Sequence, residues 1–105
     1  MPQFDVYKNP SKTTQKVFPY ILDIQHEYIS DIDTRIVIPL GRLEYFQNEN
    51  LGKLTPVIEY EGETLLLLTP QIASVPKIKL KDPVGTLEQV RTEILAALDF
   101  AIPGI

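Results

Sequence analysis

Residues 55–68 read TPVIEYEGETLLLL, and this stretch decides the fold class. Glu61-Gly62 separates two strand-like runs by two residues, which is typical of a tight β-hairpin, so we predict strands over 55–60 and 63–68. Four consecutive leucines at 65–68 are too apolar for a strand that has one face exposed to solvent. We therefore expect both faces to be covered, by the core on one side and by a helix or second subunit on the other.

Further short strands are predicted on both sides of this hairpin, separated by proline, glycine and other turn formers. Their positions are 3–7, 16–24, 35–40 and 76–80. Pro19 cannot donate to a ladder and indicates an edge or a bulge within the second of these runs. The polar stretch 44–52 fits a short helix or a loop.

Two helical segments are predicted after the hairpin. Thr69-Pro70 places a capping hydroxyl before a proline, which favours one turn over 70–74. Thr86 with Gln89 forms a capping box for a longer helix that ends near Ile102. Its apolar face recurs at Leu87, Val90, Ile94, Leu98 and Ala101. The pattern predicts one domain, residues 1–105, mainly β with a C-terminal α-helix and a strongly bent sheet or partial barrel.

Composition limits the possible functions. Ten basic and fourteen acidic residues give a net charge of −4. A negative protein does not bind the phosphate backbone of a nucleic acid well by itself, so a protein partner is expected. The absence of cysteine excludes disulfides, thiolate metal sites and a cysteine nucleophile. We expect neither a secretory signal nor a membrane helix, which favours the cytoplasm.

The last residues are unusually apolar for a chain end. Phe100, Ile102 and Ile105 are large apolar side chains, and Asp99 lies in the last helical turn, where the helix dipole disfavours a negative charge. In one interpretation the tail folds onto its own sheet or into a homodimer seam. In the other, it is an exposed anchor for a partner's pocket, in which Asp99 meets a cation.

Residues 23–33 hold the one histidine, His26, among several acidic residues, which raises the question of a metal site. The spacing matches neither a calcium loop nor a zinc motif, and a solvated acidic turn is the preferred interpretation. Ser11, Ser30 and Ser74 lack a nucleophile-elbow context, so a hydrolase triad is unsupported.

Read end to end, the chain resembles the CcdB family, the toxins of toxin–antitoxin pairs that poison DNA gyrase. The shared segments, in order, are Gln3-Phe4-x-Val6-Tyr7, Asp23-Ile24-Gln25, Arg35-x-Val37-Ile38-Pro39-Leu40, Pro56-Val57, Gly62-Glu63, Ala73-Ser74-Val75-Pro76 and Gly104-Ile105. The order of these segments and the total length carry the resemblance, since each piece alone is unspecific.

The resemblance implies a homodimer with an SH3-like small barrel, no enzymatic activity and no cofactor. Such toxins bind the A subunit of gyrase and trap the state in which DNA is cut. A CcdA-like antitoxin with a disordered C-terminal segment neutralises them, and the complex represses its own operon through the antitoxin. Apolar grooves and the loop 8–16 are candidate landing sites for that segment.

The resemblance also implies the gyrase-binding residues. They are the last three residues and the helix end, with a second strip before the central strand: Pro103, Gly104, Ile105, Asp99, Phe100, Tyr28 and Ile29. Pro103 stands where a plasmid member of the family has tryptophan, a typical hot-spot residue. Phe100 or Tyr28 is the expected replacement for that contact area.

Two other functions remain open. Toxins that share this barrel cut RNA, and Arg35, Arg42, Ser74 and Thr69, with His26 as the base, are the candidate residues for an endoribonuclease. The acidic balance of the chain argues against this function. A non-toxic dimeric binding module is the third hypothesis.

Overall fold

The computed structural model of the chain describes residues 2–26, 32–46 and 52–102. Within them, seven strands form one antiparallel sheet and an α-helix follows the last strand. The strands are β1 (Asp5–Lys8), β2 (Tyr20–Asp23), β3 (Thr34–Arg42), β4 (Val57–Tyr60), β5 (Glu63–Leu67), β6 (Ala73–Pro76) and β7 (Gly85–Thr86), and the helix is α1 (Arg91–Ala101). Single 3-10 turns occupy Leu43–Tyr45, Gly52–Leu54, Thr69–Gln71, Lys77–Lys79 and Glu88–Val90. The predicted class, mainly β with a C-terminal helix, is confirmed.

The sheet has the strand order β4-β5-β3-β2-β1-β7 and curls into a half-barrel. The nine residues of β3 organise it, because β2 pairs along one edge while β6 and β5 share the other. Residues 34–37 pair with β6, and residues 40–42 pair with β5. The partial barrel predicted from the short, punctuated strands is therefore the observed architecture.

Pro39 lies in the middle of this central strand, where a proline normally costs a ladder hydrogen bond. Its carbonyl accepts a hydrogen bond from the Leu68 N–H (3.0 Å), so its nitrogen faces the same edge. That edge is the gap between the segments paired with β6 and β5. The missing N–H therefore removes no bond from the ladder.

The hairpin of β4 and β5 is confirmed. Glu61 and Gly62 both have positive φ values, 51° and 75°, and Tyr60 pairs with Glu63 across the turn. This geometry is that of a two-residue type I′ turn, whose twist suits antiparallel strands. The first strand begins at Val57 and not at residue 55, because Thr55 N–H closes the preceding 3-10 turn on the Gly52 carbonyl.

All four leucines at 65–68 are buried, but the cover differs from the prediction. Leu65 and Leu67 belong to the main core, with Ile94 and Ala97 of α1. Leu66 and Leu68 belong to a second cluster on the opposite face, formed with Phe46 and packed against Val17, Phe18 and Leu43. The chain's own loops cover that face, so neither a helix nor a second subunit is needed there.

Three predicted strands have different bounds. β1 begins at Asp5 because Phe4, although buried, has a φ of 73° and cannot continue a strand. β2 begins at Tyr20, since residues 14–18 form turns whose N–H groups bond to Thr14 and Ser11 carbonyls. The strand predicted over 76–80 is wrong: β6 ends at Pro76, and a 3-10 turn follows.

The helical predictions are right in type and partly wrong in bounds. The turn predicted over 70–74 is observed at Thr69–Gln71, and the Thr69 hydroxyl does not cap it. Thr86 Oγ1 accepts the Glu88 N–H at 3.1 Å, so the cap precedes a 3-10 turn and α1 begins only at Arg91. The predicted apolar face of α1 does pack on the main core.

Candidate binding surface

The end of α1 presents an apolar surface around a carboxylate. Ile94 and Ala97 are buried, whereas Leu95, Asp99, Phe100 and Ile102 are exposed. Leu95 and Asp99 are four apart and share one stripe of the helix, Phe100 lies on the neighbouring stripe, and Ile102 follows the last helical residue. Phe100 is 53% exposed. We call these four residues the helix-end surface.

The negative charge of Asp99 is unfavourable at this end of the helix. Carbonyl groups at the C-terminal end of a helix carry partial negative charge, so a carboxylate there is unfavourable. The last turn of α1 holds no basic residue to offset it. Apolar side chains beside an uncompensated carboxylate form a surface suited to a partner that offers an apolar pocket and a cation.

The predicted gyrase-binding residues are only partly within the described structure. Asp99 and Phe100 are neighbours on the helix-end surface, and both are exposed. Pro103, Gly104 and Ile105 follow α1 directly but lie outside the described residues, as do Tyr28 and Ile29. Their roles therefore remain predictions.

A buried polar network that the sequence did not predict joins the segments before and after the connection that contains Tyr28 and Ile29. Arg35 Nε donates to Asp23 Oδ2 at 2.8 Å, and both side chains are fully buried. Asp23 Oδ1 accepts the Gln25 N–H (2.9 Å), and Gln25 Oε1 accepts the Ile36 N–H (3.0 Å). The network thus ties residues 23–25 to residues 35–36.

One sequence signal for this network was available. Arg35 opens the otherwise apolar run RIVIPL at 35–40, and a charged side chain on a strand buried on both faces must find a partner. Asp23 and Gln25 occur together in another segment of the family resemblance. Only the register of β2 against β3, with Asp23 opposite Val37, identifies them as the partners.

The residues considered for an endoribonuclease do not form a phosphate-binding cluster. The Arg35 guanidinium is enclosed with Asp23, and Thr69 is buried at 1% exposure. Arg42 Nε donates to Glu63 at 2.7 Å, and its Nη1 donates to the Lys16 carbonyl at 2.6 Å. Ser74 and His26 are exposed. Arg35 and Arg42 are thus both paired with carboxylates of the protein, which does not favour either as a ligand of an RNA phosphate.

Arg42 lines two shallow clefts. One, of about 280 Å³, is also lined by Lys8, Gln15, Pro19 and Tyr20. The other, of about 320 Å³, is also lined by Leu43, Glu44, Glu63 and Thr64. The hydrogen bond to Glu63 is the main cause that raises the pKa of Arg42. Its guanidinium therefore stays charged beside both clefts.

The loop 8–16 lies beside the first cleft, and hydrogen bonds of the buried Asn9 side chain hold its backbone. Its Nδ2 donates to Thr14 Oγ1 (2.9 Å) and to the Phe18 carbonyl (2.8 Å), while its Oδ1 accepts the Ser11 N–H (2.9 Å). Gln15 Nε2 donates to the Asn9 carbonyl. Lys12 and Lys16 remain exposed on this loop.

In residues 2–26, 32–46 and 52–102, no group of three histidine, cysteine or acidic side chains could hold a metal ion. Asp23, the acidic residue nearest His26 in the described sequence, is engaged with Arg35. Glu27 and Asp31, two of the acidic residues that surround His26 in the sequence, lie outside the described residues. No helix in the described part of the chain has the length and apolar character needed to cross a membrane.

A half-barrel sheet with a helix that exposes its apolar end defines a small β-rich protein suited to binding another macromolecule. The model of one family, described as CcdB protein, matches residues 3–104, which is nearly the whole chain. The chain therefore belongs to the CcdB family and is the toxin of a toxin–antitoxin pair.

Proposed function

We propose that this toxin binds the A subunit of DNA gyrase and traps the complex in which DNA is cut, causing double-strand breaks. The helix-end surface is the observation that supports the proposal. It presents Phe100 and Asp99 to solvent, immediately before Pro103, Gly104 and Ile105 in the chain. Tyr28 and Ile29 form the second contact strip. A poison must bind one gyrase conformation better than the others, because equal affinity would shift no equilibrium.

The proposed active form is a homodimer of a single toxin domain, residues 1–105. Ile36 supports this assembly, because it lies on the same face of β3 as the buried Ile38 and Leu40 and yet is 39% exposed. The face of β3 that packs on the core is therefore exposed to solvent at Ile36. A two-fold dimer offers two identical helix-end surfaces to a two-fold target. Sedimentation of wild type and of I36D tests this, since a charge at this face would favour the monomer.

The proposed antagonist is a CcdA-like antitoxin whose disordered segment folds on the toxin. The loop 8–16 and the cleft lined by Lys8, Pro19 and Tyr20 support its placement, because a backbone fixed by Asn9 borders a depression that an extended segment can enter. The complex of the two proteins represses its own operon through the antitoxin. The proposed location is the cytoplasm, where gyrase and its DNA are found.

The toxin acts in this proposal without catalysis and without a cofactor. The burial of Arg35 with Asp23 and the pairing of Arg42 with Glu63 support it over the endoribonuclease. The proposed action needs only binding energy, which the exposed apolar side chains of the helix-end surface can supply.

Purified protein, gyrase, supercoiled plasmid and ATP test the proposal, with messenger RNA in a parallel reaction. Linear plasmid after denaturation of gyrase is the expected product. Cleaved RNA would instead establish the endoribonuclease, and intact plasmid with intact RNA would leave the non-toxic binding module. Omission of gyrase is the control that separates a poison from a nuclease that cuts DNA directly.

A further inference from the structure

The 3-10 turn Lys77–Lys79 carries an apolar tip between cations. Ile78 is 88% exposed, the highest value among the large hydrophobic residues of the described structure. Lys79 and Lys81 are exposed on either side of the buried Leu80, and no hydrogen bond or ion pair of their side chains is seen within the described residues. We call Ile78, Lys79 and Lys81 the lysine turn.

The exposure of Ile78 is not a result of a frayed backbone. Lys77 N–H donates to the Asp33 carbonyl at 2.8 Å, and Leu80 N–H closes the turn on the Lys77 carbonyl at 3.1 Å. Leu80 is buried in a cluster with Tyr7, Ile21 and Val37 on the outer face of the sheet. The turn is thus fixed at both ends, and a partner would meet a preorganised surface.

The charge of the lysine turn contrasts with the rest of the protein. Residues 77–82 hold Lys77, Lys79 and Lys81 against one acidic residue, Asp82, whereas the whole chain has a net charge of −4. The local sign therefore favours an anionic partner even though the overall sign does not. An isoleucine at the tip adds nothing to a contact with phosphates, but it fits a partner that pairs carboxylates with an apolar group.

We propose that the lysine turn is a docking site for an acidic polypeptide segment in which carboxylates flank one large apolar side chain. Lys79 and Lys81 pair with the carboxylates, and Ile78 packs against the apolar side chain. This surface is separate from the helix-end surface, and the inference does not depend on the binding of gyrase.

The experiment follows the backbone amides of the ¹⁵N-labelled protein by NMR during titration with the capped peptide Glu-Glu-Leu-Glu-Glu. Shift changes confined to residues 77–81 are expected, and the peptide with glutamine at all four acidic positions should not bind. K79Q/K81Q should weaken binding about tenfold and I78A by a few-fold, whereas the matched variant K53Q/R91Q, which changes two exposed cations outside the proposed binding surfaces, should bind like wild type.

Each other outcome overturns the proposal. Shift changes of equal size at the lysine turn, at Lys53 and at Arg91 would show a general attraction between opposite charges. Tighter binding of a DNA duplex than of the peptide at the lysine turn would assign the site to nucleic acid. Undiminished binding by K79Q/K81Q, or the absence of any shift, would remove the docking site.

Discussion

Arg35 and Asp23 form an ion pair in the core of the sheet, with 2.8 Å between Nε and Oδ2 and no exposed surface on either side chain. The pair lies immediately before and after the connection that holds the second proposed contact strip. Removal of one charge would leave the other buried without compensation, at a cost of about 3–5 kcal/mol. The pair therefore stabilises the two segments, residues 23–25 and 35–36, that precede and follow that connection in the chain.

R35M is expected to lower the free energy of unfolding by about 3–5 kcal/mol, because it leaves the Asp23 carboxylate buried and uncompensated. R35M/D23N should recover most of this loss, since asparagine is neutral and its side-chain oxygen can still accept the Gln25 N–H. Urea unfolding of the wild type and both variants measures the difference. Equal losses in the single and double variants would contradict a charge-based explanation.

A second prediction concerns Tyr60 and Gly85. The Tyr60 hydroxyl is buried and has no hydrogen-bond partner within the described residues, and a Cβ at Gly85 would collide with it. Y60F should therefore be neutral or stabilising by up to about 1 kcal/mol, and G85A should cost about 1–3 kcal/mol. In Y60F/G85A part of that cost should disappear, because the colliding oxygen is gone. Strictly additive effects in thermal or urea unfolding would show that the two residues do not interact.

Stability should fall at alkaline pH. Burial is the main cause that raises the pKa of Tyr7, Tyr20 and Tyr60 above the ordinary value of 10.0, with nearby carboxylates adding to it. In the unfolded chain these phenols ionise at their ordinary pKa, while the folded protein keeps its protons to higher pH. The stabilisation is therefore complete below pH 10.0 and declines as pH rises from there.

Y60F tests this directly, because it removes one of the three groups. The free energy of unfolding, measured in urea from about pH 8 to about pH 11, should decline less steeply than in wild type. Y45F is the matched control, since Tyr45 is 41% exposed. A slope that Y60F leaves unchanged would exclude Tyr60 as a contributor.

The proposed gyrase contact predicts opposite effects on stability and poisoning. D99K should stabilise α1 by about 0.3–1 kcal/mol, because a cation suits the C-terminal end of a helix. The same change should reduce plasmid linearisation by gyrase, since the carboxylate would no longer meet a cation on the partner. Gyrase poisoning that is unchanged in D99K would remove Asp99 from the contact.

F100A is the apolar counterpart of this test. Phe100 is 53% exposed, so its truncation should lower the melting temperature only slightly and weaken poisoning by about tenfold or more. V57A on β4 is the matched control, because Val57 is 58% exposed and is not part of the helix-end surface. A parallel deletion of Gly104 and Ile105 should abolish poisoning with no loss of melting temperature. A lower melting temperature in that deletion would indicate a structural tail.

Features that depend on neighbouring residues were predictable. The turn at Glu61-Gly62 follows from two residues that tolerate positive φ between two strand-like runs. The apolar face of α1 follows from its periodicity, and the exposure of Phe100 fits a side chain off that face. The strand predicted over 76–80 failed because strand pairing needs a partner, and β3 begins at Thr34, opposite Pro76.

The sequence by itself determined the fold class, the hairpin, the final helix and the family, because turn chemistry and periodicity act between residues that are close in the chain. Only the tertiary structure decided which loops cover Leu66 and Leu68, why Pro39 is tolerated within β3, and which carboxylate meets Arg35. These relationships join residues far apart in sequence. They depend on the register and curl of the sheet, for which no local pattern carries the information.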